Sequence, residues 1–294
     1  MKYLSPTTCP AEIVQSFTCI CLQIGYFCKH PTNFFCMELA ISNQYFIVCG
    51  AGAGFGRSVA EALVAEGARI LAIARNEQSL KGLQDIAPSR IDIFAGDITL
   101  SDNIKKIAEK TANTDIHGIL VNAGGPPAKT VMETTLQDWD AAYQGLLRWK
   151  VELTQTFVPR LVRSSYGRLV FIESFTVKQP LENLVLSNSL RAAVTGFVKT
   201  LSQEISRSGV TLNVLAPGFH HTAAIERIYK KKSEQTNMAI EEIRKRAVES
   251  IPVGALGDPK DLASLATWLL SPSSRYITGQ TISVDGGQIK GIFG

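Results

Sequence analysis

The sequence predicts a doubly wound α/β fold: one parallel sheet with helices on both faces. Three observations carry that prediction. From Met37 onward, strand-like apolar runs alternate with amphipathic helical stretches, and no linker-like stretch interrupts them. The strand candidates are almost continuously apolar, as strands buried on both faces must be. The residues able to bind or react cluster just after strands, where ligands sit in such sheets.

Taken in order, "QYFIVCG" is a strand ending at glycine, and "GRSVAEALVAEGA" is a helix ending near Gly67. "RILAIAR" is the second strand and "NEQSLKGLQDI" its helix. "IDIFAGDI" is the third strand, and "SDNIKKIAEKTA" opens a helix with a Ser/Asp cap. "IHGILVNAGG" follows as a strand, then a long helix from about Thr135 to Arg163, then "GRLVFIES" as the fifth strand. In "SNSLRAAVTGFVKTLSQEIS", Leu190, Val194, Phe197, Val198, Leu201 and Ile205 line one helical face. "VTLNVLAPG" is the sixth strand, "PKDLASLATWLLS" the last helix and "GQTISVDGG" the closing strand. The whole is a Rossmann-type architecture in one domain, expected over 37–294.

Residues 1–36 are expected to lie outside that domain. Five of the six cysteines (Cys9, Cys19, Cys21, Cys28, Cys36) fall there, but their spacing fits no common zinc pattern and His30 is the one nearby histidine. No metal is expected. Pro6 and Pro10 interrupt the start before an apolar core of the secretory kind builds up. "MELAISNQYFIVCG" at Met37 reads as a natural start, which makes the first 36 residues an upstream extension. No apolar run reaches the roughly 18 residues a membrane span needs. The net charge of +4 is mild and dispersed, so neither nucleic acid nor a membrane surface is the expected partner. A cytoplasmic location is the expectation.

"CGAGAGFGR" is the first chemical motif. The Gly-x-Gly-x-x-Gly register starting at Gly52 fails, whereas Gly50-x-x-x-Gly54-x-Gly56 fits. Glycines there allow a tight turn, let backbone approach a pyrophosphate and aim helix N–H groups at it. The second motif is Ala74-Arg75. No carboxylate stands where one would hold the ribose hydroxyls, and Arg75 can pair with a 2′-phosphate instead. NADP(H) is therefore expected over NAD(H). The plainer reading is a solvated arginine.

With these residues in view, the chain resembles the short-chain dehydrogenase/reductases, and within them the 3-oxoacyl-[acyl-carrier-protein] reductases, over about residues 41–287. The glycine turn, "GDI" at Gly96–Ile98, "VNAGG" at Val121–Gly125, "NVLAPG" with Thr222 beyond it, and the tail "SPSSRYITGQTISVDGG" carry the likeness. The resemblance implies cofactor contacts from Gly50, Gly54, Phe55, Gly56, Arg75, Asp97, Ile98, Asn122, Ala123, Gly124, Arg191, Pro217, Gly218 and Thr222. It also implies an acyl-thioester or other carbonyl substrate, an acyl carrier protein as a possible partner, and a homotetramer or homodimer. Residues 222–250 hold the position of the family's substrate-covering helices. Lys230, Lys231 and Lys232 there could meet an acidic carrier, although such runs usually form a solvated face.

The catalytic pattern departs from the family. Its serine is matched by Ser174, but Ser187 stands for the tyrosine, Arg191 for the lysine and Leu146 for the asparagine. A phenol with a pKa of about 10 is within reach of a neighbouring cation, whereas an aliphatic alcohol is far too weak an acid. Arg191 keeps a permanent charge and several donors, so ribose or phosphate binding can survive. Ser187 also suits a helix N-cap. His220, His221 and Tyr229 are substitute proton donors to test. Glu173 is expected on the opposite side of its strand from Ser174. The expected function is an NADP(H)-dependent carbonyl/alcohol oxidoreductase with Ser174, Ser187 and Arg191 at its centre. The alternatives are an NADP(H)-binding sensor without turnover and a structural subunit of an active relative.

Overall fold

The computed structural model describes residues 38–292, so the expectations for residues 1–36 and their cysteines lie outside the described residues. Seven strands form one sheet in the order β3-β2-β1-β4-β5-β6-β7. They are β1 (Tyr45–Cys49), β2 (Arg69–Ala74), β3 (Ile91–Ala95), β4 (Ile116–Val121), β5 (Gly167–Ile172), β6 (Val210–Pro217) and β7 (Thr281–Val284). Every neighbouring pair is parallel. The order reverses between β1 and β4, and a crevice opens at such a switch beyond the strand ends.

Burial explains why these strands read as continuous apolar runs. Ile47, Leu71, Ile119, Leu169 and Val214 face one core, packed by α3 (Ser101–Lys110), α5 (Trp149–Arg163) and α6 (Val185–Glu204). Phe46, Val48, Ile70, Leu120 and Val170 face the other, packed by α1 (Gly54–Ala65), α2 (Glu77–Gln84) and α9 (Pro259–Leu270). Both faces are covered, so the strands are mostly apolar. A smaller cluster of Ile225, Tyr229 and Ile243 joins α7 (Ala223–Thr236) to α8 (Ile240–Glu249). Among the described residues no helix is long and apolar enough to cross a membrane.

The expected long helix forms, but in three parts. Thr135 caps α4 (Leu136–Tyr143) in a capping box with Asp138. A π-helical turn at Gln144–Arg148 then leads directly into α5. Leu146 is buried within that turn. π-turns re-aim the side chains that follow them and recur at functional sites.

Two caps differ from the sequence expectation. Leu100 is the N-cap of α3, and Ser101 instead donates across to Glu152 Oε2 at 2.7 Å. Leu184 is the N-cap of α6, which places Ser187 inside the first turn rather than at the cap. The backbone N–H of Asn188 bonds to Leu184 O at 2.8 Å, so the helix is already closed before Ser187 could start it.

Phe157 is fully buried between α5 and the sheet. Phe157→Ala is expected to lower the unfolding free energy by about 3–5 kcal/mol through lost transfer energy and a residual cavity. Urea denaturation of the two proteins measures this directly.

Candidate functional site

The glycine turn is shaped by contacts that exclude side chains. Gly50 has φ +69°, and a Cβ on it would lie 2.7 Å from Asn122 Nδ2. The ends of β1 and β4 therefore touch at the switch point. Gly54, at φ +55°, opens α1, and a Cβ on Gly56 would fall 2.2 Å from Gly50 O. Ala53 is the N-cap of α1 and has no side chain that can bond its first N–H groups. These donors point out of the turn, as the first amides of any helix do.

The other sequence-predicted cofactor residues sit around this turn with differing roles. Arg75 is exposed just after β2, and Asn76 next to it caps α2 by accepting from Ser79 N at 3.0 Å. Asp97 Oδ1 accepts from Thr99 N at 3.0 Å and Thr99 Oγ1 at 2.8 Å, while Asn103 Nδ2 holds the Asp97 carbonyl. Ile98 is buried in the core, so only its main chain is free to meet a ligand. Ala123 packs against the same core, and Gly124 is exposed.

The loop after β6 leans over the start of α1. Phe55 and His220 meet edge to face with ring centroids 5.0 Å apart. Thr222 caps α7, and its methyl would lie 3.7 Å from a Cβ on Gly54. Pro217 pairs with Val284, and Gly218 N donates to Val284 O at 2.9 Å. A Cβ on Gly218 would strike Gln288 Oε1 at 2.3 Å, the atom that also accepts from Phe219 N. Gln288 is a site-supporting residue with no local sequence signature, because its partners lie about seventy positions away.

At the end of β5, Ser174 Oγ accepts from Thr176 N at 3.2 Å and caps a short 3-10 turn, Phe175–Val177. Ser187 and Arg191 are in direct contact: Arg191 Nε donates to Ser187 Oγ at 3.1 Å. Arg191 Nη1 donates to the Glu173 carbonyl at 3.2 Å and to Glu173 Oε2 at 3.0 Å. A Cβ on Gly125 would lie 3.2 Å from Nη2, so that nitrogen faces the loop after β4. The arginine thus ties α6 to the strand end that carries Ser174.

Glu173 shares its strand face with Leu169 and Phe171, toward α5 and α6. There it also meets Lys150, whose Nζ bonds Glu173 Oε1. The side chains of Lys150 and Glu173 are about 1% and 0% exposed, a buried ion pair that the largely buried Arg191 extends to a charged group of three. Burial pushes the Lys150 ammonium below the usual lysine range, opposed by Glu173 and reinforced by Arg191. Nearby Cys49 is pushed up to about 12 by burial and is an inert thiol. The sequence reading missed Lys150. Two signals were present: a lysine within the apolar stripe Leu146, Leu153, Phe157, and an acidic residue on the inward parity of β5.

The three substitute proton donors lie in different settings: among the described residues only the His220 ring is hydrogen-bonded, while the buried Tyr229 hydroxyl has no partner. His220 is buried, with Nδ1 3.1 Å from Gly218 O. Tyr229 is buried in the α7–α8 cluster, and burial raises its phenol pKa. His221 is exposed, and its backbone N–H, not its ring, donates to Gly257 O.

Burial, first, holds the His220 imidazole below its usual 6.5, with the Gly218 carbonyl opposing. The folded-state pKa lies below the unfolded one, so the unfolded chain binds more protons as pH falls. The stability linked to neutral His220 is present above 6.5 and lost as pH drops through the lowered value. His220→Phe keeps the contact with Phe55 and is expected to flatten the acid limb of stability below about pH 6.5. Denaturant titrations across that range test this, and an unchanged limb would assign the loss to other groups.

Comparison with known proteins agrees with this geometry. A family model described as Enoyl-(Acyl carrier protein) reductase matches residues 50–288. The 3-oxoacyl-[acyl-carrier-protein] reductase FabG of Rickettsia prowazekii is 28% identical over 249 residues, covering 85% of this chain and 98% of the relative. That of Thermotoga maritima is 27% identical over 256 residues, covering 85% and 100%. Among solved structures, the L-sorbose reductase of Gluconobacter frateurii complexed with NADPH and L-sorbose superposes with a TM-score of 0.81 at 24% identity, covering 87% and 100%. YwfH, an NADPH-dependent reductase involved in bacilysin biosynthesis, gives 0.80 at 23%, covering 85% and 100%. These two structures share the fold. With the family model spanning the glycine turn, the strands from β2 to β7 and the β6 loop, the chain belongs to the short-chain dehydrogenase/reductase family.

Proposed function

We propose that the chain is an NADP(H)-dependent carbonyl/alcohol oxidoreductase of the 3-oxoacyl-[acyl-carrier-protein] reductase type, working with altered catalytic residues. The observation that carries this reading is the glycine cradle: a Cβ on Gly56 has no room beside Gly50 O, and the first amides of α1 have no side-chain cap. Those features suit a pyrophosphate. Arg75, exposed with no carboxylate beside it at the end of β2, suits a 2′-phosphate. When bound, the nicotinamide supplies or accepts the hydride.

The chain's own residues would then do three things. Ser174, half-buried at the end of β5, donates its hydroxyl proton in a hydrogen bond to the substrate oxygen while its lone pair stays with Thr176 N. That bond strengthens as the oxygen gains negative charge. Arg191 contributes permanent positive charge, with Nη2 turned toward Gly125. Ser187 accepts from Arg191 Nε, which leaves its own proton free to orient the substrate oxygen or a water. An alcohol beside a guanidinium is not an acid of phenol strength, so water is the proton source in this scheme.

One observation favours a second reading, a nucleotide-binding protein without turnover. Leu146 is buried in the π-turn where the family carries a polar relay residue, and it offers no hydrogen bond. A carrier-protein partner finds support in the names of the relatives and less in the lysine run. Lys231 Nζ is already bonded to Ala128 O, leaving Lys230 and Lys232 exposed. A homotetramer or homodimer and a cytoplasmic location belong to the same reading by family likeness.

NADPH oxidation with acetoacetyl thioester tests the activity. Ser174→Ala is expected to lower kcat/KM by roughly 10²–10³, the scale of losing one oxyanion donor. Turnover that appears only in Ser187→Tyr would instead mark a lapsed enzyme. For the cofactor, Arg75→Ala is expected to weaken NADPH binding by about 10–100-fold, as a lost charge-assisted contact does, while NADH binding changes little. Equal losses for both nucleotides would remove the 2′-phosphate assignment.

A further inference from the structure

Glu173 needs one cation to neutralise it, and it has two. Arg191 alone would balance the carboxylate, and burying a second cation is costly unless it performs some other task. Lys150 is about 1% exposed and occupies Glu173 Oε1, which leaves only Oε2 for the guanidinium. An arginine and a carboxylate left to themselves favour the two-point fork. Here Arg191 meets the carboxylate at a single point, through Nη1 at 3.0 Å, and the same nitrogen also donates to the Glu173 carbonyl at 3.2 Å. Its Nε is consequently free for Ser187 Oγ, and its Nη2 is turned to Gly125. Lys150 lies in the first turn of α5, two residues past the π-turn at Gln144–Arg148.

We propose that Lys150 is a positioning residue: by holding one oxygen of Glu173 it keeps Arg191 end-on, with Nε on Ser187 and Nη2 toward the nucleotide-facing loop at Gly125. This rests on the proposed nucleotide site. The network of two cations and one anion carries a net charge of +1. Its outlet to the loop side is the Nη2 edge of Arg191. That charge favours an anionic dinucleotide, and Lys150 sustains it without touching the ligand.

The test uses the full chain, with crystal structures and NADPH titration by calorimetry. In Lys150→Met, the guanidinium is expected to swing into a two-point pair with Glu173 and leave Ser187 Oγ. NADPH affinity is expected to fall by about tenfold. Arg191 remaining on Ser187, or an affinity within about twofold of wild type, overturns the proposal. The double variant Lys150→Met/Glu173→Gln again has a net charge of +1 and frees Arg191 from the carboxylate. It is expected to recover the affinity to within about threefold of wild type, and failure to recover also overturns the proposal. Should the single variant not fold, the double variant decides by the same criterion. A wild type with no affinity for NADPH would sink the proposed function instead, and the position of Arg191 in Lys150→Met would then decide the role of Lys150.

Discussion

The candidate site is organised around a carboxylate that water does not reach. Glu173 directly follows β5, on the face of the apolar Leu169 and Phe171, and its two ion-pair partners there are Lys150 and Arg191. A lone buried carboxylate would be strongly disfavoured. Because the two cations come from different helices, their pairing also joins α5, α6 and the end of β5. Ser174 is the next residue along the chain, and Ser187 is bonded to one of the cations. The positions of both serines therefore follow from how a single buried charge is satisfied.

This network changes the meaning of the altered catalytic pattern. In the family's usual arrangement a lysine and a tyrosine act four residues apart on one helix. Here the cation at Arg191 is retained on that helix and a lysine arrives from α5. The phenol has no counterpart, since Ser187 is a short alcohol that already accepts a bond from Arg191. In the proposed scheme positive charge is kept while proton-transfer strength is lost. Water as the proton source is consistent with that division.

The nucleotide cradle obeys a different constraint, that of close backbone approach. Gly50, Gly54 and Gly56 are needed because β1, β4 and α1 converge there with no room for side chains. The loop after β6 then leans on α1 through His220 and Phe55, and α7 starts at Thr222 beside Gly54. The covering helices α7 and α8 are thus anchored at the same turn that would hold the phosphates.

Much of this was legible in the amino-acid order. The alternation of apolar strands and amphipathic helices determined the doubly wound sheet, because strand burial on both faces leaves a local hydropathy record. The glycine spacing, Arg75 and the Ser174/Ser187/Arg191 set were likewise visible as local patterns. The caps at Leu100 and Leu184 were not, since local side-chain capacity suggested Ser101 and Ser187, while a tertiary contact engaged Ser101 and the first turn of α6 already enclosed Ser187. Gln288 beneath Phe219 could not be read at all, because nothing near it in sequence requires it. Lys150 and Glu173 each left a local signal, a charge on an apolar face, but that signal went unread for Lys150 and their pairing spans two elements. Only the packed structure, in which an unpaired buried charge is intolerable, decided that they meet and that Arg191 is the third member.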